Sequence, residues 1–366
     1  MATSAAATSR FAKTNHPAPA TAELRDAVLA NPGFGTKFTD HMVSIDWTED
    51  KGWHDAAILP YGPIALDPAA SVLHYAQEIF EGLKAYRLPD GGMALFRPEA
   101  NAARFNASAR RLAMPELPED LFVEAVEQLV LTDRDWFPTV DGGALYLRPF
   151  MFATEAFLGV RPARAYRFLV IASPAGNYFK SGSPAVSIWV SDYTRAAPGG
   201  TGAAKCGGNY AASLVPTAEA FSRGHDQVLF LDAAEHKWIE ELGGMNLFFA
   251  FDDGSILTPP LSGTILPGIT RESLIALARE EGLTVREERY SLDQWRADAA
   301  SGKLVETFAC GTAAVVTPVG KVADHNGEFV IGSGGPGQLT QKLRQRLVSI
   351  QRGESPDAHG WVRRIA

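Results

Sequence analysis

The stretch Pro198-Gly199-Gly200-Thr201-Gly202-Ala203-Ala204-Lys205-Cys206-Gly207-Gly208-Asn209-Tyr210 decides how this chain is read. From Ala196 to Ala218 there is one charged residue, Lys205, among small and apolar neighbours. An amine in such surroundings is desolvated, so its pKa falls and a nucleophilic fraction exists near neutrality. A lysine of that kind suits Schiff-base chemistry with a carbonyl compound. The plainer reading is a loop lysine that happens to have small neighbours. A rival chemistry is the phosphate loop G-x-x-x-x-G-K-[ST]. Gly199 through Lys205 fits it in part, but Ala204 replaces the second glycine and Cys206 the magnesium-binding hydroxyl. A nucleotide-binding loop is the weaker reading.

The rest of the 366-residue chain has room for about two domains. Its 46% hydrophobic and 21% charged residues exclude a disordered or fibrous protein. A net charge of −8 argues against a nucleic-acid surface, while leaving room for a local basic site serving a small anion. Cys206 and Cys310 make no disulfide framework and fit no zinc spacing, which points to a reducing compartment and to no metal. The longest apolar run, residues 242–251, is shorter than the ~18 residues a membrane span needs. Residues 1–20 carry Arg10 and Lys13 but also the helix breakers Pro17 and Pro19. They read as a frayed tail on a cytoplasmic protein rather than as an organellar transit peptide.

The pattern of elements is mixed α/β. Asp67-Pro68 predicts a helix start, with Val72, Leu73, Ala76, Ile79, Phe80 and Leu83 on one face. Pro98 opens a helix reaching Met114, and a third runs over 119–131. Residues 144–152 and 166–172 read as buried strands. The turn-forming run 173–184 reads as an interdomain linker. Strands are expected beyond it at 186–191, 228–231, 246–251, 283–288 and 305–310, with helices at 208–222, 270–281 and 338–351. This divides the chain into a flexible segment 1–33, a small domain 34–172, the linker 173–184 and a large domain 185–366. A ligand cleft is expected between the two lobes.

The run Lys205-Cys206-Gly207-Gly208-Asn209-Tyr210, followed by Glu240-Glu241-Leu242-Gly243-Gly244-Met245-Asn246, resembles the branched-chain amino-acid aminotransferases, pyridoxal-phosphate enzymes of the fold-type IV group. Matching stretches occur in order at Phe34-Gly35-Thr36, Asp40-His41-Met42, residues 75–86 (YAQEIFEGLKAY), Leu95-Phe96-Arg97-Pro98, Tyr146-Leu147-Arg148-Pro149, Leu266-Pro267-Gly268 and Gly311-Thr312-Ala313. The likeness covers the chain from Phe34 to near residue 350. It implies a smaller N-terminal α/β lobe and a larger C-terminal pseudo-barrel lobe that binds pyridoxal 5'-phosphate. It also implies reversible amino transfer from L-leucine, L-isoleucine or L-valine to 2-oxoglutarate, giving the branched 2-oxo acid and L-glutamate, by a homodimer.

The resemblance assigns roles residue by residue. Lys205 would carry the cofactor on its amine and, once released, move the proton at the substrate Cα. Glu241 would face the pyridine nitrogen and keep it protonated; on residue type alone it is one of a solvated pair with Glu240. Tyr210 would hydrogen-bond the cofactor's phenolic oxygen and Arg104 would hold its phosphate. Ile269 and Thr270, at a helix start, would add main-chain donors, and Thr312 a further phosphate contact. Ala313 would offer its N–H to the substrate carboxylate. Phe34, Tyr75, Phe80, Tyr146 and Tyr178 would wall an aliphatic side chain. Arg148, on the same strand face as Tyr146, would accept the distal carboxylate of glutamate. Leu158 and Val160 would enter the partner subunit's pocket.

The chain departs from the family pattern in two places. Gly244 stands where many members have threonine, and Ala314-Val315-Val316-Thr317 lacks the redox Cys-x-x-Cys of some animal members. A D-amino-acid aminotransferase or an aminodeoxychorismate lyase would reuse the same lysine–glutamate pair.

Overall fold

The computed structural model describes residues 10–176 and 185–365. Among them are two nine-stranded sheets. The first runs, in spatial order, Ala12–Lys13, Gly52–Pro60, His41–Thr48, Ala165–Ala175, Ala144–Ala153, Leu83–Arg87, Met93–Phe96 and Val362–Arg364, with Glu78–Phe80 also paired to Ala144–Ala153. It is antiparallel except where Ala12–Lys13 lies parallel to Gly52–Pro60. Helices Pro98–Arg111 and Glu119–Thr132 cover it, and Phe105, Phe122 and Phe168 meet there with ring centroids 5.4 to 5.8 Å apart.

The second sheet runs Ile239–Leu242, Gln227–Leu231, Val186–Val190, Val315–Asp324, Leu304–Gly311, Asn246–Phe251, Ser255–Thr258 and Thr284–Glu287, with Gly327–Val330 on Val315–Asp324. Strand Asn246–Phe251 is buried throughout because both faces are covered, which is why it reads as an unbroken apolar run. Leu247, Phe249 and Phe251 pack with Tyr290 and Trp295. Phe248 and Ala250 pack oppositely, on Leu274, Leu277, Leu343 and Leu347 of helices Ile269–Glu280 and Gln338–Gln351. The mixed α/β class, in two units each with its own core, is as expected.

Several local expectations are corrected. The helix expected from Asp67 to Leu83 is a single turn, Val72–Tyr75, followed by strands Glu78–Phe80 and Leu83–Arg87. Ala76, in the left-handed region at φ 49°, stops the turn, and pairing with Ala144–Ala153 takes over. The helix expected over 208–222 is two, Gly207–Ala211 and Leu214–Ser222. In the described part of the N-terminal segment read as flexible, Phe11 is buried, Ala12–Lys13 is a strand and Ala22–Ala30 a helix capped by Thr21. The strand Ala165–Ala175 extends into the run read as a linker, whose residues 177–184 lie outside the described residues. The C-terminal strand Val362–Arg364 pairs with Met93–Phe96, so residues after 185 do not stay in one sheet.

Candidate active site

The Lys205 segment runs between the two units. Its neighbours Ala204 and Cys206 pack into the core of the first unit, while Lys205 lines a cavity of about 190 Å³. Its backbone is pinned from that unit: its N–H donates to Ser108 Oγ at 2.9 Å, and its carbonyl accepts from the Phe80 N–H at 2.9 Å. The Glu78 carboxylate accepts from the Gly207 N–H so closely that a Cβ at 207 would displace it.

Lys205 Nζ donates to Tyr210 Oη at 2.7 Å and lies 4.6 Å from the centre of the Phe80 ring. Burial, then the Arg104 charge, lowers its pKa to about 8, against the pull of Glu81. Burial and the nearby Glu241 push Tyr210 up to about 12, so it stays a neutral hydroxyl.

Glu241 lies in strand Ile239–Leu242, 3% exposed. It ion-pairs with buried Arg195 and accepts from the Leu266 N–H at 3.1 Å. Burial raises its carboxyl to about 7, against the opposing effect of Arg195. The solvated pair suggested by residue type is wrong for both members. Glu240 is also buried, points away from the cavity and accepts from Thr264 Oγ1. Strand alternation sorts the two, and Glu241 alone of them lines the cavity.

Arg104 lines the cavity but is already committed. Its Nε and Nη2 donate to fully buried Glu81 at 2.7 and 2.8 Å, and Nη1 donates to the Pro267 carbonyl at 3.1 Å. Burial alone would raise the Glu81 carboxyl, but Arg104 and Asn101 bring it below its ordinary value. Two of Arg104's five N–H groups remain. Nearby, Gly268 caps helix Ile269–Glu280 without any side-chain bond to the first-turn N–H groups. A Cβ at 268 would meet Asn246 Oδ1, so the helix starts flush against the strand. Ile269, Thr270 and Thr312 complete this end of the cavity.

At the other end, Phe34 and Tyr146 meet edge to face at 5.0 Å, and Phe80 lies against Tyr210 at 4.9 Å. Arg148 Nη2 donates to Tyr146 Oη at 3.1 Å, and its guanidinium lies 4.8 Å over Phe80. Its buried Nε meets no acceptor among the described residues. Ala313 and Gly244 are also on the wall; a Cβ at 244 would come no nearer than 4.0 Å to Tyr210.

The structure thus brings together Lys205, Arg104, Tyr210, Glu241, Ile269, Thr270, Thr312, Phe34, Phe80, Tyr146, Arg148 and Ala313. Tyr75, Leu158 and Val160 do not line this cavity: they are 41%, 71% and 87% exposed, and Tyr75 Oη donates to the Leu158 carbonyl at 2.7 Å. Tyr178 lies outside the described residues. Sequence reasoning missed Glu81, Arg195 and Lys84. Lys84, 7% exposed, donates from Nζ to the Ala313 carbonyl at 2.8 Å. A charge inside an apolar run is the signal that would have found Glu81 and Lys84.

The family model described as Amino-transferase class IV matches residues 78–322. The chain is 58% identical over 352 residues to a protein of Mycolicibacterium smegmatis named branched-chain-amino-acid aminotransferase, covering 95% of this chain and 96% of that one. Among solved structures it resembles a T.th. branched-chain amino acid aminotransferase complexed with N-(5'-phosphopyridoxyl)-L-glutamate, at TM-score 0.72 and 29% identity, over 88% of this chain and 99% of that one. The same T.th. enzyme complexed with 4-methylvaleric acid matches at TM-score 0.71, 29% identity and the same coverage.

Proposed function

The chain belongs to the class IV amino-transferases, as a branched-chain-amino-acid aminotransferase, and on that premise we propose that it moves the amino group of leucine, isoleucine or valine to 2-oxoglutarate, with pyridoxal 5'-phosphate held on Lys205. The residues present fit that cofactor. Lys205 offers an amine part-neutral at physiological pH, Glu241 a carboxylate, and Arg104 two spare N–H groups beside an uncapped helix start. When bound, the cofactor takes up the substrate's amino group and draws off the electrons left on its Cα.

The chain's own residues do the rest. Lys205, freed from the cofactor, holds and moves the proton at the substrate Cα. Tyr210 fixes where that amine sits. Glu241, held by Arg195, keeps the ring nitrogen protonated. Arg104, Ile269, Thr270 and Thr312 bind the phosphate. Ala313 donates its N–H to the substrate carboxylate, while Phe34, Phe80 and Tyr146 exclude water around an aliphatic side chain. The unmatched Nε of Arg148 supports its recruitment by the distal carboxylate of glutamate. The two T.th. complexes, one with a glutamate adduct and one with a branched acid, support both arms.

Exposure of Leu158 and Val160, beside Tyr75, supports a homodimer in which they reach the partner's pocket. Tyr178 completes the aromatic wall on this reading, and 173–184 joins a small domain to a large one. Both cysteines are free and buried, which supports a reducing, cytoplasmic setting. None of the described helices is long and apolar enough to cross a membrane.

One observation carries the proposal: Lys205 and Tyr210 from one stretch, and Glu241 and Arg104 from two distant ones, meet in one cavity. A panel of amino donors with 2-oxoglutarate, following glutamate formation, tests it. Leucine, isoleucine and valine should all react. Activity on D-alanine with none on L-leucine would instead favour a D-amino-acid aminotransferase.

A further inference from the structure

Arg97 does not line the cavity, yet three pieces of the fold meet on it. It joins strand Met93–Phe96 to helix Pro98–Arg111 with φ 51° and ψ 46°, a left-handed conformation that side chains rarely adopt. Pro98 contributes to this by barring Arg97 from the right-handed helical region. From there Nη1 donates to Ser273 Oγ at 2.8 Å and to the Ile269 carbonyl at 3.4 Å, and Nη2 lies 3.0 Å from Glu272 Oε2. All three partners are in the first turns of helix Ile269–Glu280.

The C-terminal tail seats the arginine. Its guanidinium lies 5.2 Å from the Trp361 ring, and the Arg97 backbone N–H donates to the Trp361 carbonyl at 2.7 Å. Trp361 stacks on His359 at 3.9 Å, and His359 reaches Glu280 at 2.6 Å, so the tail touches the far end of the same helix. Glu272 is 70% exposed, and its pair with Arg97 contributes little by itself. Ser273 and Ile269 are buried, and the bonds to them fix where the turn lies.

We propose that Arg97, seated on Trp361, is a positioning residue that fixes the first turn of helix Ile269–Glu280 and so sets the protein's affinity for the cofactor's phosphate. This rests on the reading above that Ile269 and Thr270 meet that phosphate.

Cofactor-stripped full-length protein is titrated separately with pyridoxal 5'-phosphate and with pyridoxal, which lacks the phosphate, following the visible absorbance band. Arg97→Met raises Kd for the phosphorylated compound about tenfold, the size of one lost charge-assisted hydrogen bond, with pyridoxal shifted less than twofold. Arg97→Lys recovers part, because a lysine cannot fork between Ser273 and Ile269. Trp361→Leu shifts the same ratio by less. An Arg97→Met protein whose two Kd values rise together, or not at all, overturns the inference. Should that variant fold poorly, Ser273→Ala carries the same expectation and the same grounds for rejection. Arg104→Lys separates the two layers. If it leaves the ratio unchanged, the phosphate lies elsewhere and the underlying reading fails. If it moves the ratio while Arg97→Met and Ser273→Ala do not, this inference alone fails.

Discussion

Lys84, buried, and Lys205, half-buried on the cavity wall, are two lysines with nearly the same acidity and different surroundings. Burial lowers both to about 8, helped by Arg104 at Lys205 and by Arg344 and Arg352 at Lys84. The Lys205 amine faces a hydroxyl and an open cavity. The Lys84 amine is spent on the Ala313 carbonyl and does not line that cavity. A shifted pKa states how much neutral amine exists; partner and access decide whether it can react.

The strongest test of that contrast is Lys205→Ala, expected to lose about 10⁴-fold or more in turnover together with the borohydride-sensitive visible band. Lys84→Met should keep the band; its loss there would make the two lysines equivalent and break the comparison. The carboxylates repeat the pattern, since Glu81 is matched by Arg104 while Glu241 sits near neutrality against Arg195. Glu241→Gln should bind cofactor normally yet lose about 10² to 10³-fold in kcat. Near-normal rates would show that its charge is not used.

Lys84→Met should act on the Ala313 turn alone. KM for the amino acid and for the 2-oxo acid should both rise about tenfold, the size of one charge-assisted hydrogen bond. Lys84→Arg should restore most of it, and a kcat effect without a KM effect would count against this. The smallest effect is one of pH. Only the neutral amine attacks a carbonyl, so in cofactor-stripped protein the rate of reaction with pyridoxal should climb below pH 8 and level off above it. A flat profile would mean that Lys205 is not the reacting group.

Much of this was legible in the sequence, and what was not has physical causes. Lys205 was visible because its neighbours carry no charge, and the helix at 269–280 because Pro267 and Gly268 punctuate its start. The stretch 67–83 misled because its apolar spacing suits a helix, while Glu78–Phe80 and Leu83–Arg87 are strands buried by pairing with Ala144–Ala153. Glu81 and Lys84 were not singled out, because their partners, Arg104 and Ala313, are remote in the chain. Residue type could not show that Glu240 is also buried, because its partner Thr264 lies on a distant loop.

The two chain ends have a consequence of their own. They occupy the two edges of the first sheet, Ala12–Lys13 at one and Val362–Arg364 at the other. A sheet edge is a row of unpaired amides and carbonyls that another molecule's strand can join. Very short strands bearing Lys13, Arg363 and Arg364 blunt both margins, and Arg363 is tied down by Glu99 and Glu127. The termini therefore guard against edge-on aggregation. Removing Ala12–Lys13 or Val362–Arg364 takes away no residue that lines the cavity but opens a margin that another molecule's strand can join, so solubility depends on these two short strands.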